Sequence, residues 1–75
     1  MVFEKVQKII CEQFGIEASS VNPESSITDD FGADSLDLVD LAMTIEDAFD
    51  IEVPDEELEK IKTVADIVKF IEENW

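Results

Sequence analysis

Apolar residues return every three or four positions in four separate stretches of this chain. That spacing puts one face of a helix toward a core, whereas strict alternation would mark a strand. The first stretch carries Phe3, Val6, Ile10 and Phe14, with Val2 and Ile9 beside them; the last carries Val64, Ile67, Val68 and Ile71. Between them lie a long stretch after Ser35 and a short one with Leu58 and Ile61. The whole chain is 75 residues, about half the usual ~150 per domain. A chain this short buries only roughly 60% of its unfolded surface, so one small core is expected and no cleft between lobes. The fold class that follows is all-α: a small four-helix bundle with a long loop between the first and second helices and a short third helix, residues 1–75 forming one domain.

Local signals set the ends of these helices. The first runs from about Val2 to Phe14, and Gly15 stops it. Cys11 lies beside its apolar stripe and reads as a half-buried small hydrophobe. A connection follows from about Ile16 to Asp34, with turns at Asn22-Pro23 and among Ser19, Ser20, Ser25 and Ser26. A loop of this length in so small a domain tends to be functional or to hold short helical turns; Val21, Ile27 and Phe31 are its apolar anchors. The second helix spans about Ser35 to Asp50, capped by Asp34 or Ser35. Pro54 sits at or near the first position of the third helix, whose acidic start (Asp55, Glu56, Glu57) and terminal Lys60 match the helix dipole. The fourth begins with Thr63, with Asp66 three residues on as a variant capping box. Phe70 and Trp75 are expected to close that end of the bundle.

Charge narrows the function. There are 20 Asp and Glu against five Lys, with no Arg and no His, for a net charge of -15. All five Lys lie near the ends (Lys5, Lys8, Lys60, Lys62, Lys69), and from Ile9 to Glu59 there are 16 acids and no base. A nucleic-acid binder needs a basic face, and none is available. Without His, no Ser-His or Cys-His nucleophile pair can be assembled. One Cys cannot form an internal disulfide or a Cys-based zinc site, which suits a reducing compartment. No apolar run approaches ~18 residues, so no membrane span is expected, and no leader pattern is present. A cytoplasmic location, or the mature form in an organelle, fits these features. The acidic surface reads either as a solvated face or as a docking surface for basic partners.

The second helix has two distinct faces. At 100° per residue, with Asp37 set at 0°, Leu41, Ile45, Leu38, Phe49 and Ala42 fall between about 40° and 140° and make a core stripe. Roughly opposite, between about 220° and 300°, lie Asp50, Met43, Leu36, Asp47 and Asp40. Leu36 and Met43 therefore point away from the core, framed by carboxylates. Single exposed apolar residues often mean nothing; two of them with a charged rim have the composition of a small interface.

The most chemically pointed segment is Gly32-Ala33-Asp34-Ser35-Leu36. Ser35 stands where a Gly-containing turn meets a helix start. An anion on its hydroxyl would meet free main-chain N–H groups and the positive end of the helix dipole. An ordinary Ser cap has the same local pattern. Nothing nearby could activate Ser35, so any chemistry placed on it comes from another enzyme.

Gly32-Ala33-Asp34-Ser35-Leu36-Asp37 resembles the prosthetic-group attachment motif of the acyl carrier proteins, in the form used in dissociated (type II) fatty acid synthesis. Lys8-Ile9-Ile10 and Glu12-Gln13-Phe14-Gly15 resemble that family's first helix. Pro54-Asp55-Glu56-Glu57, Glu59-Lys60-Ile61 and Thr63-Val64 resemble its third helix and the turn after it. The resemblance covers essentially the whole chain. Departures are small: Cys11 where a small residue is common, Phe31 where Leu is frequent, and Trp75 at the end.

The resemblance implies a non-catalytic carrier. A phosphopantetheinyl transferase (holo-acyl-carrier-protein synthase) would move the 4'-phosphopantetheine arm of coenzyme A onto Ser35. The arm would hold growing acyl chains as thioesters and present them to fatty acid synthesis enzymes. Those partners would read the second helix through basic patches, which places recognition on Asp34, Asp37, Asp40, Glu46 and Asp47 with Leu36 and Met43 as apolar anchors. Asp37 and Glu46 lie off the outer face of the idealised wheel, so their inclusion comes from the resemblance. The family shelters its acyl chain between the second and third helices, and Val39, Ile45 and Ile61 match positions lining that cavity; plain core packing explains the same three residues. A monomer is expected.

Other classes stay open at this point. A carrier for polyketides, amino acids or another specialised acyl pathway would usually depart from Ala-Asp before the serine and be less acidic. A calcium sensor would need oxygen ligands at alternating positions, a central Gly and a Glu at position twelve, a frame that Asp29-Asp30-Phe31-Gly32 does not supply. A plain acidic interaction module needs no prosthetic group. Disorder is suggested by the charge and opposed by four amphipathic stretches and an apolar content of 45%.

Overall fold

The computed structural model describes residues 2–75, and they form an all-helical bundle. The helices are α1 (Val2–Phe14), α2 (Ser35–Phe49), α3 (Asp55–Lys60) and α4 (Val64–Asn74), with one 3-10 turn at Ala18–Ser20 in the long connection. The expected four helices and short third element are all present. Each boundary falls within a residue or two of its expected place, with Pro54 and Thr63 standing just outside their helices as N-caps.

Three of these helix ends show their physical cause directly. Past Phe14, Gly15 takes φ 66°, and the N–H groups of Gly15 and Ile16 both return to the Cys11 carbonyl at 2.9 and 3.2 Å. This left-handed stop satisfies carbonyls that the helix leaves open. α2 ends the same way on a residue with a side chain: Asp50 sits at φ 55°, and the N–H groups of Asp50 and Ile51 return to the Glu46 carbonyl. Asp is one of the few side chains that accept this conformation. The start of α4 carries the expected capping box between Thr63 and Asp66.

The core is drawn from three helices and the long connection. Val6 and Ile10 of α1, Leu41, Ala42, Ile45 and Phe49 of α2, and Val64, Ile67 and Ile71 of α4 are buried. Val21, Ile27 and Ala33 of the connection are buried with them. α1 packs on both α2 and α4, whereas α3 leans on α2 and has no fully buried residue. Phe31 is half-buried, its ring stacked on Phe14 with centroids 6.0 Å apart. Trp75 meets Phe49 edge-on, with centroids 5.1 Å apart, yet remains 64% exposed. It therefore covers the bundle end without being enclosed by it. Cys11 is half-buried, as its place beside the stripe implies.

The long connection is held by main-chain bonds to the far end of the chain. Ser26 and Thr63 form an isolated antiparallel bridge. Ile27 N–H donates to the Lys62 carbonyl at 2.9 Å, Val64 N–H to Ser25 at 3.1 Å and Ala65 N–H to Pro23 at 2.8 Å. On its other side, the Gln7 amide donates to the Ala18 and Val21 carbonyls at 2.8 and 3.2 Å. A loop of this length is ordered because its own polar backbone is paired and its apolar anchors are in the core.

Candidate functional site

The N-terminus of α2 is fixed by reciprocal bonds between two acids. Asp34 is the cap; its carboxylate accepts the Asp37 N–H at 3.0 Å, and the Asp37 carboxylate accepts the Asp34 N–H at 3.2 Å. Gln13 of α1 adds a bond to the Asp37 carbonyl at 3.1 Å. Ser35 is thus not the cap but the first helical residue, exposed at the surface. Its N–H and that of Leu36 belong to the turn for which the helix has no carbonyl. Gly32, at φ 68°, turns the chain just ahead of this start.

Ser35 opens onto a surface groove of about 810 Å³ between α2, α3 and the connection. Leu38, Val39, Leu58 and Ile61 give it an apolar strip, and Ser26, Thr28 and Lys62 with the acids Asp29, Asp55 and Glu59 give it a polar edge. Adjoining it is a narrow apolar seam lined by Leu41, Ala42, Ile45, Ile67 and others. Its free volume is about 10 Å³, the space of one water at most. Leu38, Leu58 and Ile61 line both the groove and the seam, so they form the partition between them.

These positions sort the residues singled out from the sequence. Leu36 is 78% exposed and Met43 59% exposed, and Asp40 and Asp47 are exposed on the same side of α2. Asp34, Asp37 and Glu46 all have internal work for their carboxylates. The first two close the capping box. Glu46 is half-buried and accepts the Val53 N–H at 2.7 Å, which ties the chain leaving α2 back onto that helix. Ile45 is buried in the seam and Ile61 stands in the partition. Val39 is not with them: it is 45% exposed and borders only the outer groove. Leu38 and Leu58, apolar residues that the spacing turns inward, stand in the partition with Ile61. The Glu46–Val53 bond has no signature in spacing or charge pattern.

Asp66 is held below the ordinary carboxylate range, chiefly by the Lys62 N–H, with Thr63 and Lys69 adding to it against a partial burial penalty.

The family described as "Phosphopantetheine attachment site" matches residues 4–71. An "Acyl carrier protein" of Clostridium acetobutylicum is 58% identical over 71 residues, covering 95% of this chain and 92% of that one. One of Helicobacter pylori is 51% identical over 73 residues, covering 97% and 94%. Among solved structures, the acyl carrier protein of Enterococcus faecalis superposes with a TM-score of 0.84 at 42% identity, covering 99% of this chain and 94% of that one. The chain belongs to the phosphopantetheine-binding family and, within it, to the acyl carrier proteins.

Membership implies a 4'-phosphopantetheine prosthetic group and an acyl carrier role. The residues present fit such a group: an exposed hydroxyl beside a groove with one apolar strip and one polar edge suits an arm with amide and aliphatic parts. No helix among the described residues is long and apolar enough to cross a membrane.

Proposed function

We propose that Ser35 Oγ is the point of attachment of the 4'-phosphopantetheine arm, and that the chain delivers growing acyl chains as thioesters to enzymes of fatty acid biosynthesis in the cytoplasm. The arm supplies the thiol that bears the acyl group. The observation that carries this reading is the placement of Ser35: an exposed hydroxyl on the first turn of α2, opening onto a groove that only three side chains separate from an apolar seam.

The chain's own residues then have distinct duties. The capping box holds the first turn in place so that Ser35 is presented in one geometry. Free N–H groups of that turn and the helix dipole favour an anion there. The chain has no His and α2 has no Lys, which supports loading of Ser35 by a separate phosphopantetheinyl transferase. Leu36 and Met43 anchor partner enzymes, with Asp40 and Asp47 meeting their basic patches and Asp34, Asp37 and Glu46 at the flanks. The seam that Ile45 lines, with Ile61 at its partition, shelters a short acyl chain once Leu38, Leu58 and Ile61 part, and Val39 marks the mouth. The carrier works as a monomer.

Incubation with coenzyme A and a phosphopantetheinyl transferase, followed by intact-mass measurement, tests the attachment. The wild type gains the mass of the arm and Ser35→Ala does not; equal gain by both would place the arm elsewhere.

A further inference from the structure

Lys62 is the single cation lining the groove that Ser35 opens onto, where the other charged lining residues are Asp29, Asp55 and Glu59. Three carboxylates around a groove repel a phosphodiester, and one ammonium in the same groove offsets that repulsion. The backbone from which this side chain projects is fixed beside the groove. The main chain of Lys62 is pinned on both sides, its N–H on the Asp66 carboxylate at 2.9 Å and its carbonyl on the Ile27 N–H at 2.9 Å. Its side chain is exposed and, among the described residues, makes no ion pair within 4 Å. Lys60, two residues earlier, is by contrast paired with Glu57 at 3.7 Å.

Resting on the attachment reading for Ser35, we propose that Lys62 is a positioning residue for the arm: its ammonium pairs with the phosphodiester and holds the first part of the arm along the groove. The pair is formed at the surface, so it is weak and screened by salt. Its effect is to bias where the arm rests, over the apolar strip of Leu38, Val39, Leu58 and Ile61, and not whether the arm is attached. Lys62 performs no chemical step.

The test compares backbone amide shifts in bare and loaded protein for the wild type, Lys62→Gln, Lys62→Arg and Lys69→Gln. Lys69 does not line the groove. Spectra are taken between about 0.02 and 0.5 M salt, over which the screening length shrinks from roughly 20 Å to about 4 Å. Loading of the wild type is expected to shift Ile61 and Lys62, with the shift shrinking as salt rises. Lys62→Gln should lose that salt-dependent part, while Lys62→Arg and Lys69→Gln keep it. A loaded Lys62→Gln spectrum matching wild type at every salt concentration overturns the proposal, as does a wild-type shift indifferent to salt. The wild-type salt series stands on the unaltered chain, so the test does not hinge on any variant folding. Intact mass separates the two readings: failure of the wild type to load removes the attachment reading and this one with it, whereas normal loading with unaltered shifts removes the role of Lys62 alone.

Discussion

Asp34 and Asp37 each accept the other's main-chain N–H, at 3.0 and 3.2 Å respectively, and so lock the turn from which Ser35 projects. This gives Asp37 a structural duty beside any contact with partners. Asp37→Ala should lower stability by about 1 kcal/mol, a fall of roughly 4–8 °C in Tm for a domain this size. Asp40→Ala, on an exposed carboxylate, should change stability by under about 0.5 kcal/mol while slowing loading by the transferase. Thermal melts with loading rates on both variants check this; unchanged stability in Asp37→Ala would mean the reciprocal bonds add nothing.

The exposed anchors predict the opposite pattern. Leu36→Ala and Met43→Ala remove side chains that touch little of the core and put a better helix former in place. Stability should stay within about 0.5 kcal/mol. Transfer to partner enzymes should fall by about tenfold or more, the effect of losing an apolar anchor worth at least ~1.4 kcal/mol. Loss of stability with transfer intact would return both residues to ordinary packing.

The seam gives a contrast between neighbours on one helix. Ile45→Ala should cost about 2–4 kcal/mol because Ile45 is buried. Val39→Ala should cost under about 0.5 kcal/mol because Val39 faces the open groove. An octanoyl chain on the arm should raise Tm above that of the thiol form, since each buried methylene contributes about 0.8 kcal/mol. Equal melting of the two forms would show that the chain stays outside.

Asp66 sets a pH dependence of known sign. Its carboxyl titrates below the unfolded value in the folded chain because the Lys62 N–H binds the charged form. Its contribution to stability is therefore complete above about pH 4, the unfolded value, and is lost as pH falls through the lower folded value. The difference in stability between wild type and Asp66→Asn should be constant at neutral pH and narrow on acidification. A difference that widened instead would reverse the assignment.

The charge of -15 predicts a response in the other direction. Like charges repel more in the compact state than in the extended one, and salt screens them. Tm should rise from low to moderate salt; a flat profile would mean the carboxylates are too far apart to matter.

What could be read in the sequence was whatever depends on close neighbours along the chain. The Thr63–Asp66 box spans four residues, and the core stripe of α2 repeats within one helix; both are where spacing puts them. Val39 follows the same spacing. On the idealised helix it lies at about 200°, outside the stripe, and it borders the open groove while Ile45, inside the stripe, is buried. Glu46 lies between the two faces, and its use depends on the chain after α2 doubling back to offer the Val53 N–H. No periodicity reports such a return. The same is true of the order in the long connection, which comes from bonds to residues 62–65.

The Ser26–Thr63 bridge has one more effect. Ile61 and Lys62, which line the groove with Ser35, sit directly before the bridged Thr63, while its partner Ser26 lines the groove itself, with Thr28 two residues on. The start of the last helix and the groove edge facing Ser35 therefore share one fastening, the two short segments that meet at Ser26 and Thr63.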